Sequence, residues 1–293
     1  MTFKNKEKKI KNTVRRINCK KITSTVKDLF IEANTCLGAD VVAALEVSLK
    51  KEESELGRHV LEKIIANAEI AAQSKMPMCQ DTGIAVLFVE IGQDVHIVGG
   101  DLRTAIEEGV RQAYEEGFLR KSVCDPLSRK NTGDNTPAII HIDIVAGDKL
   151  KIIAMPKGGG SENVSAAKML TPAVGIEGIK KFVLETVDQA GANPCPPIIV
   201  GIGIGGTLEQ ACSLAKKALL RPVGEANIKD RRLVQMEKEL YSSINKSGIG
   251  PGGLGGRITT LAVHAEMMPC HIASLPVAVN IQCHVARHKE AIL

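Results

Sequence analysis

Met76-Pro77-Met78-Cys79-Gln80-Asp81-Thr82-Gly83 divides a chain that reads as helix before it from one that reads as alternating strand and helix after it. Pro77 cannot extend a helical pattern, because it lacks an N–H and its ring clashes with the preceding turn. Gly83 frees the backbone to turn into the apolar run Ile84–Ile91. A thiol, an amide and a carboxylate therefore stand side by side on a short loop at the end of a rigid element, where chemistry is commonly sited. The same residues also fit a buried cysteine beside a turn aspartate, since free cysteine is often buried.

Working upstream, Val26, Leu29, Phe30 and Ala33 recur at helical spacing, and Gly38 can end that helix. Asp40 suits the N-cap of a second helix with Val42, Leu45 and Leu49 inward. Ser54 suits the cap of a third, with Leu56, Val60, Leu61, Ile64, Ile65 and Ala68 on one stripe as far as Lys75. Downstream, Ile84–Ile91 reads as a buried strand with Val95–Val98 as its hairpin partner. Asp101 can cap a helix that runs to about Leu119, and a polar, breaker-rich loop covers 120–137. Ile140, Ile142 and Ile144 alternate with polar residues, so that strand buries one face, and Lys149–Ala154 returns after the Gly147-Asp148 turn. Thr171-Pro172 opens a helix that Gly191 ends. Strand Ile198–Ile204, helices to about Leu220 and over Asn227–Asn245, and a strand from Arg257 complete the series. The expectation is an α/β fold: one domain over residues 22–293, a mixed sheet packed by helices, and a helical N-terminal portion. Its strands lie near residues 84, 95, 140, 150, 198 and 258.

Aromatic residues make up only 2% of the 293 residues and Trp is absent, so the core is aliphatic. Stacking on aromatics cannot be the main means of holding a base or a flavin. Residues 1–21 hold nine Lys or Arg and a single acid, Glu7, while the whole chain carries only +5. They read as a solvated basic arm, and the slightly acidic remainder is no nucleic-acid surface. The arm lacks the apolar core of a secretory signal, and no stretch reaches the roughly 18 apolar residues of a membrane span. A cytoplasmic, reducing location is expected, so the eight cysteines are not read as a disulfide framework. None forms a Cys-x-x-Cys pair, so any metal site must be assembled from distant segments.

Three cysteines stand out by context: Cys79 beside Gln80-Asp81, Cys195 within Asn193-Pro194-Cys195-Pro196-Pro197, and Cys283 beside His284. Prolines fix the direction of a thiol, which a metal ligand needs and a core residue does not. Three thiolates suit a soft metal or an iron–sulfur cluster with one iron left open. Arg120, at the mouth of the polar loop, is a candidate carboxylate clamp through its planar fork, with an ordinary surface arginine as the alternative. Lys157-Gly158-Gly159-Gly160-Ser161 can turn N–H groups onto an anion, or serve as a flexible connector. Gly201, Gly203 and Gly206 match G-x-G-x-x-G, but the match begins inside an apolar run, and no acidic strand end follows at the expected distance. Close approach of a backbone explains these glycines better than a nicotinamide dinucleotide.

Taken together, Cys79-Gln80-Asp81-Thr82-Gly83, Lys157–Ser161, Asn193–Pro197, the glycine loop 248–256 before Arg257, and Cys283 resemble class I fumarate hydratases and tartrate dehydratases. The likeness runs from about residue 20 to the C-terminus. It corresponds to the alpha subunit of the two-subunit enzymes. The resemblance implies a [4Fe–4S] cluster on Cys79, Cys195 and Cys283. It implies Asp81 as the proton-handling group, and Gln80, Arg120, Gly158, Gly159, Gly160 and His271 as substrate contacts. It further implies a beta subunit carrying the rest of the site, an alpha2beta2 assembly and a small dicarboxylate substrate. Fumarate and (S)-malate are the expected pair, with L-tartrate as the alternative.

Overall fold

The computed structural model describes residues 14–228 and 230–293. The Asn18 side chain accepts from the Lys20 N–H at 2.9 Å, satisfying one of the donors that a helix start leaves open. Helix α1 (Cys19–Thr35) follows, then α2 (Ala39–Lys51) and α3 (Glu55–Ser74). Ser54 caps α3 as its position predicts, accepting from the Gly57 N–H at 3.1 Å. Asp40 does not cap α2. Gly38 takes that position, and the Asp40 carboxylate accepts the Val223 N–H at 2.8 Å instead. Strand β1 (Arg15–Asn18) and the start of α1 lie within the stretch expected to be a basic arm, so its last residues belong to the folded body. Residues 1–13 fall outside the described residues.

Among the described residues the strands form two four-stranded sheets and a separate pair. The first sheet orders β10 (Lys289–Ile292), β5 (Leu150–Lys157), β2 (Ile84–Gly92) and β4 (Ile139–Val145). The second orders β6 (Ala166–Leu170), β9 (Leu275–Gln282), β7 (Ile198–Gly206) and β8 (Thr260–Cys270). β3 (Val95–Val98) pairs in parallel with β1, not as a hairpin with β2. Nor do β4 and β5 form a hairpin: β2 lies between them, parallel to β4 and antiparallel to β5. β4 is an edge strand; Ile140 packs partly buried against the core, but Ile142 and Ile144 are exposed, contrary to the buried face that the alternation suggests. Alternation records which residues share a face, not whether another layer covers that face.

Helices α1 and α4 (Leu102–Glu116) cover one face of the first sheet, where Val26, Phe30, Ile106 and Tyr114 meet Leu87, Val89 and Ile152. Its other face joins Phe88 and Met155 to Leu45, Leu61, Ile199 and Leu261, so α2, α3 and the second sheet share a core with it. Helices α6 (Gly175–Ala190) and α8 (Arg231–Ile244) pack on the second sheet through Val183, Val187, Met236 and Leu240. Helix α7 (Leu208–Ala218) lies against β7. A Cβ on Gly201 would stand 2.2 Å from the Ala215 carbonyl oxygen, and one on Gly203 1.9 Å from that of Ala211. Those glycines let a helix backbone reach the sheet, as the close-approach reading requires. Among the described residues no helix is long and apolar enough to cross a membrane.

Glu52, 4% exposed, fastens the glycine-rich loop to the corner between α2 and α3. Its carboxylate accepts the N–H groups of Glu53 and Ser54 at 2.9 Å, of Arg257 at 2.9 Å and of Ile258 at 2.7 Å. Burial alone would raise its pKa. The backbone donors of Arg257, Ser54, Ile258 and Glu53 outweigh that and hold it below the usual range. Glu52→Gln keeps the shape but removes the charge, and is expected to cost about 2–4 kcal/mol in chemical denaturation at neutral pH. Because the folded pKa is depressed, this stabilisation is complete above the unfolded value of about 4.3 and is lost as pH falls through the folded one. The two proteins should therefore converge in stability in acid; a constant difference at every pH would show that the charge is not the cause.

Candidate active site

Ile199 of β7 lies opposite Gln282 of β9 in antiparallel register. The segment entering β7 and the segment leaving β9 therefore emerge at one end of the second sheet, and they carry Cys195 and Cys283. Ile84 at the start of β2 lies opposite Lys157 at the end of β5, which joins the Cys79–Gly83 loop to the glycine loop after Lys157. Cross-contacts bring the two ends together. His284 Nδ1 is 2.8 Å from the Cys195 carbonyl oxygen, and Arg287 Nη2 donates to the Asp81 carbonyl. A Cβ on Gly160 would be 3.4 Å from the Asn193 carbonyl. Four segments far apart in sequence thus share one place.

The Cys79 loop is fixed from several sides. The Met78 N–H donates to the Asn34 carbonyl at 3.0 Å, and Asn67 Nδ2 donates to the Met78 carbonyl at 2.8 Å. The buried Tyr114 hydroxyl sits 2.8 Å from the carbonyls of both Thr82 and Gly83, and Asn135 Nδ2 donates to the latter at 3.2 Å. Gly83 has φ +79°, and a Cβ there would lie 2.7 Å from the Lys157 nitrogen, so no other residue fits without a shift. The 120–137 loop is ordered by the same anchor: Asn135 Oδ1 accepts the N–H groups of Ser122 and Val123 at 2.7 and 3.2 Å.

Cys79 lies near enough to Cys195 and to Cys283 for its charge to raise the pKa of each. Burial is the larger cause in both, and at Cys283 the charges of Arg287 and Lys157 pull the other way. Cys195 has φ +54°, a left-handed conformation that costs a non-glycine residue about 1–2 kcal/mol and that clusters at functional sites. The glycine-rich loop braces it from behind. The Gly252 N–H donates to the Pro196 carbonyl at 2.7 Å, and a Cβ on Gly253 would come within 2.2 Å of the Ala192 Cβ.

Asp81 Oδ1 accepts the Gly83 N–H at 3.0 Å and Oδ2 accepts the Gly159 N–H at 2.7 Å, which fixes the direction of a half-buried carboxylate. The N–H of Gly159 thus meets an anion of this chain. Gly158 would bring a Cβ within 3.2 Å of Asp81 Oδ2. Gln80 is exposed, with Oε1 3.7 Å from Cys79 Sγ. Arg120 is exposed beside this loop, its carbonyl accepting the Thr82 hydroxyl at 2.9 Å, and its guanidinium forms no ion pair among the described residues. His271 is not brought to this place. β8 runs parallel to β7 from Thr260 beside Ile198 to Cys270 beside Gly206, so His271 leaves the sheet at the end away from Cys195 and Cys283. Its expected contact with substrate in the same chain is not supported by this register.

Two buried cations here were not legible as site residues. Lys157 is fully buried, donates to Ser161 Oγ at 2.8 Å and lies 3.2 Å from Glu162 Oε2. Burial pushes its pKa down to about 8, with Glu162 opposing. Arg287 is 3% exposed, four residues after Cys283. Its only forewarning in the sequence was proximity to that cysteine.

No group of three His, Cys, Asp or Glu side chains able to hold a metal ion occurs among the described residues. The thiols of Cys79, Cys195 and Cys283 interact electrically without forming such a cage. Three thiols from three separate segments are the type of donor set that an iron–sulfur cluster takes.

Residues 23–292 match the family described as Fumarate hydratase (Fumerase). A Methanocaldococcus jannaschii protein provisionally named L(+)-tartrate dehydratase subunit alpha is 50% identical over 275 residues, covering 91% of this chain and 95% of its own. The Escherichia coli K12 protein named L(+)-tartrate dehydratase subunit alpha is 32% identical over 271 residues, covering 91% of this chain and 89% of its own.

Proposed function

Because this chain belongs to the fumarate hydratase (Fumerase) family, whose name and relatives mark it as a hydro-lyase, we propose that it is the alpha subunit of an iron–sulfur hydro-lyase. Its reaction is the reversible hydration of fumarate to (S)-malate. The observation that carries this reading is the meeting of the Cys79, Cys195 and Cys283 segments beside Asp81 and the Gly158–Gly160 loop.

Cys79, Cys195 and Cys283 would hold a [4Fe–4S] cluster, which supplies a Lewis-acidic iron not ligated by the protein. The remaining work falls to the side chains around it. Arg120 offers an unpaired planar fork to one substrate carboxylate, and Gln80 offers an amide beside Cys79. Asp81, held by the N–H groups of Gly83 and Gly159, moves the proton at the carbon next to the one that gains or loses the hydroxyl. The glycines after Lys157 leave room for substrate against that carboxylate, since any side chain at Gly158 would crowd it.

A dicarboxylate has two charged ends, and this site offers one free, exposed arginine. The second cation is assigned to a beta subunit, in keeping with the alpha-subunit names of the relatives. We take the working unit to be alpha2beta2, in the cytoplasm, where eight free thiols stay reduced. Arg120→Met is expected to raise the KM for dicarboxylate about ten- to a hundredfold with a smaller effect on kcat. Arg120→Lys should restore it only in part, because a point charge does not replace the fork. An unchanged KM would remove Arg120 from the site.

L(+)-tartrate is the second reading, favoured by the names of the relatives. The deciding assay uses the chain co-purified without oxygen with its beta partner. It compares malate formation from fumarate with oxaloacetate formation from L-tartrate. A kcat/KM at least about tenfold higher for fumarate is expected. The opposite order assigns tartrate, and turnover of neither acid overturns the hydro-lyase reading for both.

A further inference from the structure

Arg287 is an uncompensated charge. It is 3% exposed, and only Nη2 has a partner, the Asp81 carbonyl; Nε and Nη1 are buried without one. Among the described residues it forms no ion pair. A buried guanidinium left this way costs several kcal/mol, because its hydration is lost and no anion replaces it. Arg221 also leaves Nε and Nη1 unbonded, but its Nη2 meets the Glu237 carboxylate at 2.5 Å; Arg287 has no such anion among the described residues, and a buried cation left this way points to a bound ligand.

Position narrows what that ligand is. Arg287 stands four residues after Cys283 and bonds the backbone of Asp81, two residues after Cys79. The other buried cation near Cys283 is Lys157, which already has Glu162 at 3.2 Å and Ser161 at 2.8 Å. Glu162 is further engaged by Lys216 and by Asn280 Nδ2 at 3.1 Å, so it has little left to offer. Arg287 meets Asp81 through its backbone oxygen, while the Asp81 carboxylate is taken up by Gly83 and Gly159. The cation without an anion and the three thiols occupy one place.

We propose that Arg287 is a positioning residue that provides the buried counter-charge for an anionic iron–sulfur cluster on Cys79, Cys195 and Cys283, while its bonded nitrogen holds the Asp81 backbone beside that cluster. This rests on the cluster reading given above. Arg287 touches no reacting atom in this account. It lowers the cost of concentrating negative charge at the thiols and couples cluster occupancy to the placement of Asp81.

The test compares wild type, Arg287→Met and Arg287→Lys, each purified without oxygen in complex with the beta subunit. Iron and acid-labile sulfide, the rate of iron loss to a chelator and the reduction potential of the cluster are measured, together with the melting temperature of cluster-free and loaded protein. Arg287→Met is expected to keep iron and sulfide but lose iron about ten- to a hundredfold faster, with a lower reduction potential. Cluster-free Arg287→Met should melt no lower than cluster-free wild type, because an unpaired buried charge has been removed, whereas the loaded variant melts lower. Arg287→Lys should fall between the two. Full iron with an unchanged chelator rate and potential overturns the proposal. So does a cluster-free variant that is destabilised or does not fold, since Arg287 would then be a structural residue of the apoprotein. Failure of the underlying reading looks different: wild type itself would carry neither iron nor sulfide, and both would fall.

Discussion

Serine in place of Cys79, Cys195 or Cys283 is expected to abolish the stoichiometric iron and sulfide of the protein and to lower kcat/KM by at least about a thousandfold. Each of these thiols comes from a different segment, and Cys79 acts electrically on the other two. In the proposed cluster site, loss of one thiol leaves two of its three ligands. The Lewis acid contributes several kcal/mol to the reaction, and each 1.36 kcal/mol is tenfold in rate. Serine is a poor substitute, because a neutral hydroxyl is a harder and weaker ligand than a thiolate. The same change at Cys212 on α7, at Cys270 near the far end of β8 or at Cys124 in the polar loop should leave the iron content unchanged. Iron counts separate the two groups, and equal loss in both would show that the effect is general instability.

The second large effect is expected at Asp81→Asn, which should lower kcat about a hundred- to ten-thousandfold while KM and iron content stay near wild type. A positioned proton carrier contributes about that much. An amide of the same shape keeps the loop in place through contacts that do not use the carboxylate, among them the Arg287 bond to the Asp81 carbonyl and the Tyr114 hydroxyl at the Thr82 carbonyl. Single-turnover assays alongside cluster absorbance give the reading. A variant with normal iron and a kcat within about threefold of wild type would take the proton-handling role away from Asp81.

Features that depend on a few neighbouring residues were legible in the sequence. Ser54 caps α3, Asp101 caps α4 by accepting the Thr104 N–H at 2.8 Å, and Gly191 ends α6. The glycines at 201 and 203 permit the close approach that their placement in an apolar run suggests. Features that depend on long-range pairing were not. β3 turned to β1 instead of β2, β2 inserted itself between β4 and β5, and β6, β9 and β10 gave no local signal strong enough to name them. Leu275–Val279 is a continuous apolar run and Asn280 and Gln282 alternate with Ile281, yet residues 276–282 are all buried, because β9 is an inner strand between β6 and β7.

The site divides along the same line. Cys79, Cys195, Cys283, Asp81 and the glycines at 158–160 announced themselves by local context, and register brings their segments together. His271 followed the family pattern but stands at the other end of β8, a fact that strand direction alone decides. Lys157, read only as the start of its glycine loop, and Arg287 were not recognised as buried cations, because burial of a long cation is a property of the assembled fold. In sequence, both look like ordinary surface charges.

The central claim is that three distant sulfurs grip one iron–sulfur cluster, and a metal count tests it most directly. The chain is co-expressed with its beta partner, purified without oxygen and assayed for iron and acid-labile sulfide. About four of each per alpha chain, with a brown colour that air bleaches, is the expected result. A colourless, folded complex with neither iron nor sulfide would contradict it.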